Sequence, residues 1–217
     1  MTSQARATPE FRGASPTQAI KIVGLGGTTR PGSSSEVALR VALQAAEERG
    51  AETTLFTGND LASLPIFDPQ LASRVALAET LIEALRTADG VIIASPGYHG
   101  SVSGLVKNAL DYTELMNSDP EPYLSNRSVG LIVTAYGWQA VNSTLNTLRA
   151  ITHALRGWPT PYGATINSSQ ASLKSVRDVD EGTYNAMCLV AADVVTFAQQ
   201  KSARAVAETA ETCKLSA

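Results

Sequence analysis

Two short segments of this chain concentrate the residue types that hold a charged or planar small molecule. The first is GGTTRPGSSS at 26–35, directly after the apolar run IKIVGLG. A turn between a buried strand and a helix start leaves backbone N–H groups unpaired, and the helix dipole adds partial positive charge. Thr28, Ser33, Ser34 and Ser35 supply hydroxyl donors, and Arg30 supplies a permanently charged fork. That set suits a phosphate monoester. A Walker-type loop is excluded, because Gly27 and Gly32 have its spacing but Ser33 stands where the lysine belongs. A dinucleotide fingerprint fails as well, since Gly24 and Gly26 are followed by Thr29 in place of the third glycine. The plainer reading is a serine-rich helix cap with a solvated arginine.

The second segment is SPGYHGSVSGLVKNALDY at 95–112, after the apolar run VIIA. Pro96 and Gly97 open a turn, and Gly97 and Gly100 let backbone come close to a ligand. Tyr98 and His99 can pack against or beside a flat polar ring, and Ser101 follows them. Tyr98 as a shield over the sheet end and His99 as a surface histidine are the competing readings. GSVSG is not a hydrolase elbow, because Val102 occupies the nucleophile position. Asn108 and Asp111 share a helix face and read as anchors for loop and helix rather than as acid or base. A third segment, TAYGWQ at 134–139, brings Thr134, Tyr136 and Gly137 to the same sheet edge, with Trp138 beside them.

The elements that must position these loops alternate. IKIVGLG, AETTLFTG, VIIAS, SVGLIVTAY and a short WPTPYGATI read as strands. SSSEVALRVALQAAEERG, 71–88, 101–116, QAVNSTLNTLRAITHALRG and 183 to about 210 read as helices. NDLASLPIFDPQ and NSDPEPYLSNR read as loops. Alternation of this kind predicts an α/β fold: a flavodoxin-like, doubly wound, five-stranded parallel sheet of order 2-1-3-4-5 with helices on both faces. Ligands of such sheets bind beyond the carboxyl ends of the strands, which is where all three segments fall.

Composition sets the bounds. At 217 residues, 44% hydrophobic and 17% charged, the chain suits one globular domain, read as 20–212 after a disordered leader at 1–19 and before a tail at 213–217. A net charge of −3 with scattered Lys and Arg offers no footprint for nucleic acid or an anionic membrane. No stretch is apolar enough to span a bilayer, and the N-terminus lacks a signal-peptide core. Cys188 and Cys213 fit no zinc or redox motif and read as free thiols in a reducing cytoplasm. The sequons at 126–128, 142–144 and 167–169 read as chance matches.

The three loops together resemble the NAD(P)H-dependent FMN reductase family, over roughly residues 20–165. The family's first loop, GSxRxxSxN or GSxRxxSxS, is matched by GTTRPGSSS, with Thr28, Arg30, Ser33 and Ser35 in its polar positions. Its second loop, TPEYNGSxPGxLKNAID, is matched by SPGYHGSVSGLVKNALD, which keeps Pro96, Tyr98, Gly100, Ser101, Gly104, Lys107, Asn108 and Asp111. Gly97 stands where many members have Glu, His99 where many have Asn, and Gln139-Ala140 where a Gly-Gly pair is common.

The resemblance implies non-covalent FMN, with its phosphate on the first loop and its ring against Pro96–Ser101, Thr134, Tyr136 and Gly137. It implies hydride transfer from NADPH or NADH to flavin N5 with no catalytic side chain, His99 tuning the ring. Reduced flavin then serves a monooxygenase, or electrons pass to a quinone, azo compound or other small-molecule acceptor. A homodimer or homotetramer is implied, the partner covering the flavin, with the loop around Tyr123 as a candidate cover. A non-enzymatic flavodoxin-like electron carrier or FMN-binding module is the alternative, and a flavin-free relative a third.

Overall fold

The computed structural model describes residues 19–72 and 75–215, with side chains to residue 204. The expected leader therefore lies outside the described residues except for Ala19, as do the end of the expected tail and the Cys213 side chain. In chain order the elements are β1 (Lys21–Gly26), α1 (Ser34–Glu47), β2 (Glu52–Phe56), α2 (Gly58–Ala62), α3 (Ala76–Thr87), β3 (Gly90–Tyr98), β4 (Ser101–Val102) and α4 (Gly104–Asp111). There follow β5 (Ser128–Ala135), α5 (Trp138–Ala154), β6 (Trp158–Asn167), β7 (Leu173–Ser175), β8 (Asp178–Val179) and α6 (Glu181–Leu215).

Five strands form the parallel sheet β2-β1-β3-β5-β6, the expected order with one short strand inserted in the numbering. Alternation along each strand divides the apolar runs between two cores. Val23, Leu25, Val91, Ile93, Leu131 and Val133 pack with α3, α4 and α5 on one face. Ile22, Ile92, Ala94 and Ile132 pack with α1 and α6 on the other. A strand buried on both sides reads as a continuous apolar run, which is why VIIA and VGLIV were legible. Each fully buried Ile or Leu contributes about 1.5–3 kcal/mol.

Several boundaries depart from expectation. NDLASLPIFDPQ is not all loop: Gly58–Ala62 is helical, closed by a capping box. In it the Thr57 hydroxyl accepts from Asp60 N–H, and the Asp60 carboxylate accepts from Thr57 N–H at 2.7 Å. The helix expected over 71–88 starts only at Ala76. The one expected over 101–116 is shorter, because Ser101 and Val102 pair back onto β3 and Ser103 caps α4 by accepting from Val106 N–H at 3.2 Å. Tyr112–Met116 then continue as a 3-10 turn. The last strand is longer than expected: β6 runs through Pro159 and Pro161, with a register shift against Val129–Leu131 absorbing the irregularity.

A small hairpin, β7–β8, precedes α6 and is tied to it by Asp180. Its carboxylate accepts from Ser172 N–H and Thr183 N–H, both at 2.9 Å, and the Thr183 bond holds its pKa below the ordinary value.

Candidate functional site

The first loop leaves β1 through two glycines. Gly26 lies against β3 so closely that a Cβ there would stand 1.9 Å from the Ala94 carbonyl oxygen. The same oxygen accepts from Gly27 N–H at 3.2 Å. Beyond them the Thr28 hydroxyl accepts from Arg30 N–H at 3.1 Å, folding the loop into a tight turn. Ser33 takes the N-cap position of α1 in extended backbone but makes no side-chain cap bond. Its hydroxyl lies 3.5 Å from that of Ser35, and both residues are buried. A helix start without its cap acceptor offers N–H donors to an anion. Arg30 is exposed at the rim, and Ser34 is half-buried.

The second loop is a hairpin rather than an open loop. β3 continues through Ser95, Pro96 and Gly97 to Tyr98, and Ser101–Val102 pair antiparallel with Gly97–Tyr98. The turn is His99-Gly100, with φ of 53° and 79°. Positive φ at both central residues is the type I′ combination that matches strand twist. Three bonds fix the hairpin. Ser95 Oγ donates to the Pro96 carbonyl at 2.9 Å and accepts from Ser103 N–H at 3.0 Å, and Ser143 of α5 donates to the Gly100 carbonyl at 2.7 Å. Gly97 has a packing reason: a Cβ there would meet Thr144 Oγ1 at 2.8 Å and Ala135 Cβ at 3.1 Å. A glutamate here would have to displace Thr144 and Ala135.

Between the two loops lies a cleft of about 170 Å³, lined by Gly27, Thr28, Thr29, Tyr98, Ser103, Gly104 and Leu105. Of the expected contact residues it brings together Thr28 and Tyr98. Gly27, Thr29, Ser103 and Leu105 were not singled out. Gly27 and Thr29 stand beside Thr28 in the first loop, and Ser103 and Leu105 flank Gly104 at the start of α4, where a serine before a helical run was the available signal. The third loop stands apart from these walls. Thr134 is buried within the sheet, Gly137 is the N-cap of α5, and Tyr136 is 84% exposed. Tyr98 at 54% and Trp138 at 51% complete an exposed aromatic rim at the carboxyl ends of β3 and β5. Pockets for drug-sized ligands run from about 300 Å³ upward, so this cleft encloses only part of one.

The family model described as NADPH-dependent FMN reductase matches residues 20–171. The chain belongs to that family. It is an FMN-dependent NAD(P)H oxidoreductase, which favours the enzyme over the electron-carrier reading. It is 31% identical over 145 residues to the FMN-dependent NADPH-azoreductase of Staphylococcus saprophyticus, covering 64% of this chain and 69% of that one. The azoreductase of that name from Staphylococcus haemolyticus is 35% identical over 101 residues, 46% of this chain and 47% of the relative. Among solved structures, the NAD(P)H:acceptor oxidoreductase FerB of Paracoccus denitrificans superposes with a TM-score of 0.67 at 18% identity, covering 84% of this chain and 98% of that one. The apo NADH:FMN oxidoreductase EMOB gives 0.61 at 19% identity, covering 84% and 90%. At those identities the likeness is one of fold.

The residue types in and beside the cleft are compatible with FMN. An uncapped helix start with two buried hydroxyls and an exposed arginine suits the phosphate, and the Tyr98 hairpin suits one edge of a planar ring. Behind the hairpin, α4 carries the support. Asn108 accepts from Phe67 N–H and donates to the Pro65 carbonyl, both at 2.8 Å, while the Tyr112 hydroxyl donates to the same carbonyl at 3.1 Å. Asp111 does not share this task, since it pairs with Lys107 at 2.6 Å on the surface. Asn108→Ala removes two bonds between α4 and the segment after α2, at a cost of about 1–3 kcal/mol. The expected result is a thermal midpoint lower by roughly 5 °C. An unchanged midpoint for the FMN-free protein rejects the anchoring role.

The loop around Tyr123 precedes β5 and therefore lies at the amino ends of the strands, opposite this chain's own cleft. The Tyr123 hydroxyl donates to Glu114 at 3.2 Å, and the Arg156 guanidinium sits 5.5 Å from the ring centroid. Burial, with Glu114 nearby, raises the Tyr123 pKa.

Proposed function

We propose that the first loop holds the FMN phosphate through Thr28, Arg30, Ser33, Ser34 and Ser35. The ring then lies against Pro96, Gly97, Tyr98, His99, Gly100 and Ser101, with Thr134, Tyr136 and Gly137 toward its far edge. The uncapped start of α1 beside the Tyr98 cleft is the observation that carries this reading. Held there, FMN would supply the redox chemistry, taking NADPH or NADH as the two-electron donor for a separate acceptor. The hydroxyls of Thr28, Ser33 and Ser35 donate to phosphate oxygens, and Arg30 balances their charge. Tyr98 keeps water from one side of the ring. His99, exposed at the hairpin tip, is read as a tuning residue. No side-chain acid or base is needed for hydride transfer, so the chain's task is to hold, orient and desolvate.

The acceptor is read as a planar azo or quinone compound, with a flavin-dependent monooxygenase as the other destination for reduced flavin. The azoreductase relatives support the first. A homodimer or homotetramer in the cytoplasm completes the reading, supported by the open cleft and its exposed aromatic rim. Residues 20–212 are read as its one FMN-binding domain.

Mixing the FMN-loaded protein with NADPH or NADH under anaerobic conditions is expected to bleach the flavin absorbance in a single turnover. No bleaching with either nucleotide rejects the assignment. Arg30→Ala is expected to weaken FMN binding by about 1.5–3 kcal/mol, the value of a charge-assisted hydrogen bond. That is roughly ten- to hundredfold in Kd. An unchanged Kd removes Arg30 from the phosphate site.

A further inference from the structure

A carboxylate sits inside the phosphate-binding loop, where a second negative charge is out of place. Glu36 lies in the first turn of α1, one residue after Ser35, and its side chain is 9% exposed. One oxygen accepts from Gly32 N–H at 3.2 Å. The other is held by Arg40, one turn on, with Nε at 2.9 Å and a terminal nitrogen at 2.8 Å. Glu36 also stands directly behind the cleft wall, since a Cβ at Gly27 would lie 3.3 Å from Glu36 Cβ. A near-buried carboxylate beside a dianion opposes its binding unless a cation offsets it.

We propose that Glu36 and Arg40 are a positioning pair for the flavin phosphate. Glu36 fixes the Pro31-Gly32 turn, where Gly32 has a φ of 68°, by accepting its N–H. That turn sets where Ser33, Ser34 and Ser35 present their donors. Arg40, one turn further along α1 and bound to Glu36, cancels the charge that Glu36 brings into the loop. The loop thus gains a rigid turn from a carboxylate without its repulsion. The inference rests on the reading of this loop as the phosphate site.

The test compares FMN with riboflavin, which has the ring but no phosphate. Binding is followed by quenching of flavin fluorescence, so no turnover is needed. Arg40→Met keeps most of the side-chain stem and removes the charge. Its expected effect is a roughly tenfold rise in the Kd for FMN, with riboflavin affinity unchanged. Arg40→Lys restores the charge and is expected to bind FMN as the parent does. The double variant Glu36→Gln with Arg40→Met is expected to regain most of the lost affinity, because the uncompensated carboxylate is gone.

An unchanged FMN Kd in Arg40→Met overturns the proposal. Equal loss of FMN and riboflavin affinity also overturns it, since that is the mark of general structural damage. Failure of the double variant to recover does the same. A parent protein that binds riboflavin as tightly as FMN overturns the phosphate reading beneath it, and the proposal with it.

Discussion

Arg127→Leu is expected to lower the thermal midpoint of the FMN-free protein by roughly 10 °C. Arg127 ends the polar loop before β5, yet its side chain is only 4% exposed. Its guanidinium donates to three backbone carbonyls: Leu85 at 2.9 Å, Arg86 at 2.8 Å and Ser125 at 2.8 Å. Two of them belong to the last turn of α3, whose carbonyls have no partner within the helix and carry the negative end of its dipole. The nearest carboxylate, Glu121, is 3.9 Å away, so this is not a buried ion pair. Burial lowers the Arg127 pKa, and Glu121, Asp89 and Asp119 act against that. An arginine stays charged regardless.

Leucine matches the bulk but takes a donor from each of three carbonyls, leaving Leu85 only the 3.4 Å bond from Ala88 N–H, at a cost of about 3–5 kcal/mol. Arg127→Lys is expected to recover less than half, because one ammonium on a straight stem cannot serve three divergent carbonyls. Calorimetry without flavin is the measurement, since bound ligand masks part of a stability loss. A midpoint within about 2 °C of the parent, under 1 kcal/mol, rejects the role.

Gly26→Ala is expected to damage fold and site together. The new Cβ falls 1.9 Å from the Ala94 carbonyl oxygen, backbone against backbone, and φ at this residue is 146°. Neither strand can yield by rotating a side chain. The ends of β1 and β3 must part, and the bond from Gly27 N–H to that oxygen is the first to go. The expected cost is about 3 kcal/mol, at the upper end of overpacking penalties. FMN affinity should fall more than roughly tenfold, because the loop carrying Thr28 and Arg30 starts at this junction. Gly50→Ala, away from the site, is the control: no atom lies within 4 Å of its Cβ position, so only the φ of 83° opposes it, at about 1 kcal/mol. Calorimetry and flavin titration on both variants decide the matter, and similar behaviour of the two argues against a steric origin at Gly26.

The sheet order was legible because strands buried on both faces write long apolar runs, and VIIA and VGLIV have few other uses. The strand and helix that flank Thr28, Arg30 and the serines were legible, from the apolar run before them and the serine-led amphipathic run after them. The hairpin at 97–102 was hidden. Its turn is His99-Gly100, and a histidine with positive φ leaves no mark in a sequence as Asn-Gly does. α2 was hidden by its length, although Thr57 and Asp60 stood at capping-box spacing. Arg127 read as one more charge in a polar loop, because two of the three carbonyls it serves lie on α3, far upstream in the chain. Glu36 and Arg40 had visible i,i+4 spacing. What stayed invisible was that Glu36 faces Gly32.

The last strand limits edge-to-edge pairing of the sheet with another strand. β6 is an outer edge of the sheet, and an exposed edge invites a strand from another molecule. Pro159 and Pro161 delete two N–H donors from it, and the register break opposite Val129–Leu131 kinks what remains. A neighbour cannot zip along this edge in regular register, which guards against sheet-to-sheet polymerisation in a crowded cell.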